Sequence, residues 1–82
     1  MNQTVIASFL VRGASGSTEA LARELAAIER VTVRSEVGDR LVVLGECDAR
    51  EESLEALARR ILDVPGVADL ALVSAFTDYG DE

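Results

Sequence analysis

The stretch Thr4-Val5-Ile6-Ala7-Ser8-Phe9-Leu10-Val11-Arg12 decides the fold of this chain. It is rich in β-branched and bulky apolar residues and contains no Gly or Pro, which is typical of a β-strand. Apolar side chains fall on both of its faces, whereas a half-exposed strand alternates apolar and polar residues. We therefore expect this strand to lie in the middle of a sheet, with a covering layer on each side.

Two later segments have the apolar spacing of amphipathic helices. The first covers residues 18–29 and can be capped by Ser17 or Thr18. The second is opened by a capping box at Asp48 and ended by Pro65-Gly66. The apolar stripes of these predicted helices are Leu21, Leu25 and Ile28 in the first, and Leu54, Leu57, Ile61 and Val64 in the second.

Three further segments are predicted to be strands. Residues 31–37 alternate apolar and polar side chains, as an edge strand does, and Gly38-Asp39 is a two-residue hairpin turn. Residues 40–47 are apolar on both faces and so are placed centrally, and Gly45 within them favours close approach of a helix. Residues 67–76 form the last strand.

The predicted elements form two similar halves. Glu19-Ala20-Leu21-Ala22-Arg23 recurs as Glu55-Ala56-Leu57-Ala58-Arg59, an offset of 36 positions. Two β-α-β halves are what a ferredoxin-like fold requires, and right-handed crossovers place both helices on one face of the sheet. We expect an α+β, ferredoxin-like βαββαβ fold, with a four-stranded antiparallel sheet of order 4-1-3-2. It forms a single domain over residues 1–76, followed by an acidic tail over residues 77–82.

Composition excludes several functional classes. The chain has 82 residues and a formal net charge of -7, and all eight of its basic residues are Arg, which disfavours a nucleic-acid partner. Without any His, the usual zinc sites and the Ser-His and Cys-His catalytic pairs cannot form. The single cysteine, Cys47, is interpreted as a small core residue. No signal peptide or membrane span is apparent, so a reduced, cytoplasmic protein is expected.

Enzymes and cofactor proteins of this topology carry motifs that are absent here. The loop Arg12-Gly13-Ala14-Ser15-Gly16 lacks the Gly-x-Val-x-Gly-Val pattern of small acyl phosphatases. A phosphate-binding loop needs a Lys, iron-sulfur ferredoxins need several cysteines, and RNA-binding sheets need a basic surface with aromatic residues. Phe9 and Phe76 are the only aromatic residues that the strands supply. We therefore expect no catalytic residues, no cofactor and no metal.

The side of the sheet opposite the helices is the predicted site. Charged Arg40 and Glu46 are expected to face solvent, which turns Val42 and Leu44 the same way. In the last strand, Leu70 and Leu72 are assigned to the helices, although the repeat offset predicts the opposite. The predicted partner-binding residues are Ile6, Ser8, Leu10, Arg12, Val42, Leu44, Glu46, Ala71, Val73 and Ala75.

Such a face can have three explanations. The apolar side chains on it could expose a few hundred Å², near the size at which a surface patch indicates a specific partner. Two copies of the chain could instead pair sheet to sheet as a homodimer. Scattered apolar atoms are also common on any protein surface, so the patch could have no role.

Three segments carry a resemblance to a known family. Ile6-Ala7-Ser8-Phe9-Leu10-Val11 is similar to a first-strand signature of Ser followed by Leu-Val-Val, and Arg40-Leu41-Val42-Val43 is similar to the third strand. Pro65-Gly66-Val67 followed by Leu70-Ala71-Leu72-Val73 is similar to the helix exit and last strand. In this order and spacing, the chain resembles the NapD family, small cytoplasmic chaperones that bind the twin-arginine signal peptide of periplasmic nitrate reductase.

The resemblance implies a function and includes one departure. It implies that a twin-arginine peptide docks on the open sheet side as a helix or turn, and that Glu46 and the tail acids meet its arginines. Binding would delay export until the enzyme is mature. The family usually has Tyr-His where this chain has Ser74 and Ala75, so the role of that pair is not carried over. The chain is therefore interpreted as a divergent member, serving nitrate reductase or another molybdenum or redox enzyme precursor.

A different class of function stays open at this point. Small ferredoxin-like domains also form dimeric regulators that bind a metabolite at the subunit interface. This alternative predicts a stable dimer in the absence of any peptide.

Overall fold

A computed structural model describes residues 3–14 and 18–78 of the chain. Within them the sheet is four-stranded and antiparallel, in the order β2-β3-β1-β4, which is the predicted order 4-1-3-2 read from the other edge. The predicted α+β, ferredoxin-like fold is thereby confirmed. Its elements are β1 (Thr4–Gly13), α1 (Thr18–Ala26), β2 (Val31–Val37), β3 (Arg40–Asp48), α2 (Leu54–Leu62) and β4 (Val67–Asp78).

The hydrophobic core lies between the two helices and one face of the sheet. Alternate residues of the central strand β1 enter it, because successive strand side chains point to opposite faces. The predicted helix stripes supply the other layer, with Ile28, Leu54 and Val64 at its margin. The buried core consists of Ala7, Phe9, Val11, Leu21, Leu25, Val31, Leu41, Val43, Cys47, Leu57 and Ile61.

The two halves of the chain repeat each other in structure. α1 and α2 are each nine residues long and start 36 positions apart. After each helix one residue adopts a positive φ, 68° at Arg30 and 98° at Gly66, again 36 positions apart. This left-handed residue turns the chain into the following strand. α1 ends at Ala26 rather than at Glu29, where its apolar spacing had predicted its end, because the chain then tightens into turns in which the Ile28 N–H donates to the Leu25 carbonyl and the Val31 N–H to the Ile28 carbonyl, both at 3.1 Å.

Glycines act at two predicted positions. Gly38 has a φ of 63° in the two-residue turn between β2 and β3, a conformation that costs a residue with a Cβ about 1–2 kcal/mol. Gly45 lies under α2, where an added Cβ would be only 3.2 Å from a Leu57 methyl carbon. The absence of a side chain at Gly45 therefore lets α2 pack directly on the sheet.

The N-terminus of α2 differs from the prediction. Its cap is Ser53, whose hydroxyl accepts a hydrogen bond from the Ala56 N–H at 3.1 Å. Asp48 instead belongs to β3 and accepts from the Arg50 N–H at 2.9 Å, which forms a local turn. The carboxylate is used by that turn, so it does not cap the helix. The cap predicted for α1 at Ser17 lies outside the described residues.

Both edge strands contain an irregularity that changes which face their side chains occupy. In β2 the register shifts between Val33 and Ser35, so Arg34 is an extra residue. Val37 consequently pairs with Arg40 on the side away from the helices and is 71% exposed. The continuous alternation predicted for this strand, which grouped Val37 with Val31 and Val33, was therefore wrong.

At the other edge, β4 continues through Thr77 and Asp78. The remainder of the predicted acidic tail, residues 79–82, lies outside the described part of the chain. The division into a domain over residues 1–76 and a tail stays a prediction.

Candidate functional site

The side of the sheet opposite α1 and α2, called the open face below, is defined by strand register. Directly paired residues of antiparallel strands project from the same face. The β1 residues Ile6, Ser8, Leu10 and Arg12 alternate with buried ones and so belong to it. Their partners in β3 are Glu46, Leu44, Val42 and Arg40. Their partners in β4 are Phe76, Ser74, Ala71 and Asp69.

The structure brings together the β1 and β3 residues that the sequence assigned to this face. Leu10 pairs with Val42 and Ser8 pairs with Leu44, so the apolar side chains lie next to one another. These residues are half-buried, whereas Arg12 and Glu46 are exposed. Neither helix lies on this side of the sheet, so their partial burial comes from neighbouring side chains of the sheet itself. Their placement is confirmed, and their role in binding a partner stays a prediction.

The assignment of β4 residues to the open face was correct only in its first part. Leu70 and Leu72 pair with the buried Val11 and Phe9, as predicted, and Ala71 pairs with Leu10 on the open face. A β-bulge then follows, because Leu72 pairs with Phe9 and Ser74 pairs with its neighbour Ser8.

The bulge corrects the prediction for two residues. Val73 is the extra residue, so it has no partner in β1 and does not occupy a regular open-face position. Ala75 pairs with the buried Ala7 and therefore faces the helix side, contrary to the prediction. A bulge adds one unpaired residue to the strand, so each side chain beyond it lies on the opposite face from the one that regular alternation predicts.

The same bulge brings an unexpected aromatic residue to the open face. Phe76 pairs with Ile6 and is 61% exposed. The local sequence contains no signal for this change of face, because the bulge at Val73 involves no glycine.

Most charged side chains on the open face are already paired with an opposite charge. Arg12 lies 3.7 Å from Asp69, and Arg40 lies 3.8 Å from Asp39. Asp48 lies 3.3 Å from Arg50, and the hydrogen bonds from Arg50 hold the pKa of the Asp48 carboxyl below its usual value. Among the described residues, Glu46 makes no ion pair. It is therefore a carboxylate of this face that is available to a cationic partner.

One end of the open face contains a shallow depression of about 150 Å³. Leu10 and Ala71 contribute apolar surface to it, and Arg12, Arg40 and Asp69 contribute charged side chains. It is continuous with the apolar row of Leu10 and Val42. An extended apolar surface with charged ends suits a peptide that carries both kinds of side chain.

The described residues contain few groups suited to catalysis. No cluster of three or more potential ligands that could hold a metal ion occurs among them. Cys47 is 1% exposed, and its burial, with the nearby Glu52 carboxylate as the next cause, raises the pKa of the thiol. A protonated, buried thiol is a poor nucleophile. Glu52 itself accepts hydrogen bonds from the Arg60 guanidinium at 2.7 and 3.0 Å.

A family comparison covers nearly all of this architecture. The family model described as NapD protein matches residues 4–78. The chain belongs to the NapD family. The match runs from the first residue of β1 to the last of β4, so it includes every strand that forms the open face. No curated protein and no solved structure matches the chain.

NapD family membership narrows the range of functions. It suggests a chaperone for the signal peptide of a nitrate reductase, since NapD proteins form a family of chaperones rather than of enzymes. Ser74 and Ala75 stand where the resemblance places a Tyr-His pair, and only Ser74 lies on the open face. Within the described residues, neither helix is long and apolar enough to cross a membrane.

Proposed function

We propose that this protein binds the twin-arginine signal peptide of an exported redox enzyme precursor, nitrate reductase or a similar enzyme, on its open face. Binding takes place in the cytoplasm and delays export until the enzyme is mature. The observation that carries the proposal is the adjacent apolar group formed by Ile6, Leu10, Val42 and Leu44, which neither helix covers. Family membership supplies the kind of partner.

Apolar contact supplies most of the expected affinity. Covering apolar surface contributes about 25 cal/mol per Å², before the costs of association are subtracted. Ion pairs at the rim of the face contribute about 0–1 kcal/mol each, because their charges stay in contact with water. The apolar stretch of the signal peptide therefore docks on the Leu10 and Val42 region.

Charge supports the choice of a basic peptide. The formal net charge of -7 attracts a cationic segment and speeds its association. On the open face this attraction is focused at Glu46, because Asp69 and Asp48 already have arginine partners. The protein thus complements both parts of a signal peptide, the arginines and the apolar stretch. We expect no catalytic activity from it.

Titration of the purified protein with a fluorescently labelled twin-arginine signal peptide tests this proposal. Leu10→Glu and Val42→Glu place a carboxylate in the centre of the binding surface, where it must be desolvated. We expect each to weaken binding about 30-fold, since central contact residues contribute about 2 kcal/mol or more. Leu62→Glu is the matched control, because Leu62 is an exposed residue of α2, away from the open face. It should leave the affinity unchanged.

Two results would contradict the proposal. Wild-type protein that binds no twin-arginine peptide is one, and equal affinity of the Leu10→Glu and Leu62→Glu variants for the peptide is the other. Light scattering of the peptide-free protein addresses the alternative of a metabolite-binding dimer. We expect a monomer, whereas a stable dimer that the Leu10→Glu change dissociates would favour the alternative.

A further inference from the structure

We propose that Glu46 and Phe76, with Ile6 between them, form a site for the side chain of one arginine of the bound peptide. The inference rests on the proposed function and specifies which part of the open face receives the basic segment. Glu46 supplies the charge, Phe76 supplies a ring face, and Ile6 supplies an apolar floor.

Strand register places these three residues in one row across the sheet. Ile6 in the central strand pairs with Glu46 of β3 on one side and with Phe76 of β4 on the other. Paired Cα atoms of antiparallel strands lie about 5 Å apart, so the Cα atoms of Glu46 and Phe76 are separated by about 10 Å. A planar guanidinium group fits into such a gap, with one side of the plane on the ring.

The charge of this row is uncompensated. Glu46 is exposed and makes no ion pair with any described residue. In the row at the other end of the face, Arg12 and Arg40 are already paired with Asp69 and Asp39, so this row offers an arginine no unpaired carboxylate. The two rows are six β1 residues apart, or about 20 Å. A cationic side chain is therefore attracted to the Glu46 row rather than to the Arg12 row.

Exposure of Phe76 adds the second part of the site. Its side chain is 61% exposed on an edge strand, although an exposed aromatic residue contributes little to folding. A cation above an aromatic ring gains about 0.5–1 kcal/mol at an exposed position, and Arg stacks on rings better than Lys does. Arg also binds a carboxylate through two parallel N–H donors, whereas Lys offers a single charged amine. The pair consequently favours Arg over Lys.

The site also fixes the direction of the bound peptide. With an arginine at the Glu46 row, the apolar stretch that follows lies along Ser8, Leu44, Leu10 and Val42 toward the Arg12 row. The distance from Ile6 to Leu10 is about 13 Å along the strand. This length corresponds to about nine residues of a helical peptide.

A comparison of three labelled peptides tests the site. Their sequences are identical except for the basic pair, which is Arg-Arg, Lys-Lys or Ala-Ala. We expect wild-type protein to bind the Arg-Arg peptide about fivefold more tightly than the Lys-Lys peptide, which corresponds to about 1 kcal/mol. Phe76→Leu should lower affinity for the Arg-Arg peptide about fivefold and leave that for the Lys-Lys peptide nearly unchanged, so the preference for arginine disappears.

Removal of the carboxylate gives a second, separable readout. Glu46→Gln should lower affinity for both basic peptides and leave the Ala-Ala peptide unaffected, and it should reduce the dependence of binding on salt. Glu36→Gln is its control, since Glu36 is exposed but pairs with Leu41 on the helix side. Leu62→Ala is the control for Phe76→Leu, because it also removes part of an exposed apolar side chain, in α2 and away from the open face.

The outcomes separate this site from the proposed function. If Phe76→Leu lowers the affinities for the Arg-Arg and Lys-Lys peptides equally, the arginine site is refuted while binding to the open face stands. The same conclusion follows if Glu46→Gln changes peptide affinity no more than Glu36→Gln does. If wild-type protein binds none of the peptides, both proposals are refuted. If wild-type protein binds the Arg-Arg and Ala-Ala peptides with equal affinity, the proposed function stands and the arginine site is refuted.

Discussion

The two faces of β1 are similar in composition and differ in environment. Ala7, Phe9 and Val11 are at most 1% exposed beneath the helices. Ile6 and Leu10, also bulky and apolar, lie on the open face and stay half-buried, with Glu46 and Arg40 in the neighbouring strand. Both sets of side chains satisfy the preferences of a β-strand, so composition alone does not separate core from binding surface.

What separates the two faces is what covers them. On one face, Ala7, Phe9 and Val11 share a buried core with Leu25 of α1 and with Leu57 and Ile61 of α2. Nothing in the described chain covers the other, and all the ion pairs of the strand residues involve side chains on the open face or in the adjoining turns. Substitutions on the covered face are therefore expected to change stability, and substitutions on the open face are expected to change binding.

The largest expected effect comes from truncating the core side of β1. Phe9→Ala leaves a cavity under both helices and should lower the free energy of unfolding by about 3–5 kcal/mol. Leu10→Ala, one residue away on the open face, should lower it by about 1 kcal/mol, because its side chain is already in contact with water. Urea unfolding followed by circular dichroism measures both values. Equal losses would mean that the open face is part of the folding core.

An intermediate effect is expected where α2 meets β3. Gly45→Val introduces three carbon atoms where the first would already be 3.2 Å from a Leu57 methyl carbon. Overpacking of this kind should lower the free energy of unfolding by about 1–3 kcal/mol. Ser74→Val is the matched control, since it adds bulk to a strand position on the open face.

The Ser74→Val control measures what added bulk costs in free energy of unfolding on the open face. Ser74→Val should change stability by about 0.5 kcal/mol or less. A Gly45→Val variant as stable as the control would show that α2 can move away from the sheet at no cost. The two faces would then differ less in packing than the structure indicates.

The fold could be predicted from sequence because its signals are periodic. Both helices repeat at an offset of 36 positions, and the residues 21, 25, 57 and 61 of their stripes are the buried ones. β1 and β3 pair without any irregularity from Thr4 to Arg12, so a period of two assigns every side chain correctly. Regular alternation in these two central strands placed seven of the predicted site residues on the open face: Ile6, Ser8, Leu10, Arg12, Val42, Leu44 and Glu46.

The edge strands could not be assigned in the same way. Their irregularities occur at Arg34 in β2 and at Ala68 and Val73 in β4, and none of these residues has the positive φ of a glycine bulge. Alternation then predicts the wrong face for every residue beyond the bulge, as happened for Ala75 and Val37. Phe76 was missed for the same reason. The part of the site on β4 is therefore determined by pairing with β1 rather than by the local sequence.

The smallest expected effect tests this explanation directly. Deletion of Val73 removes the extra residue and leaves Leu72 followed by Ser74. Regular alternation then assigns Leu72 to the helix side and Ser74 and Phe76 to the open face, the same faces as in the native register. We expect the free energy of unfolding to change by about 1 kcal/mol or less, and the affinity for the Arg-Arg peptide to stay within about twofold, because no side chain changes its environment.

Deletion of Ser8 is the contrasting control, because β1 pairs with β3 without a bulge. There the loss of one residue moves every following side chain to the opposite face, which would put Leu10 into the core and Phe9 outside it. That variant should fail to fold, as circular dichroism and urea unfolding would reveal. If instead deletion of Val73 also unfolds the protein or abolishes its preference for arginine, the bulge itself, and not only the face on which Phe76 lies, is required. The open face would then depend on the local twist of β4 as well as on strand register.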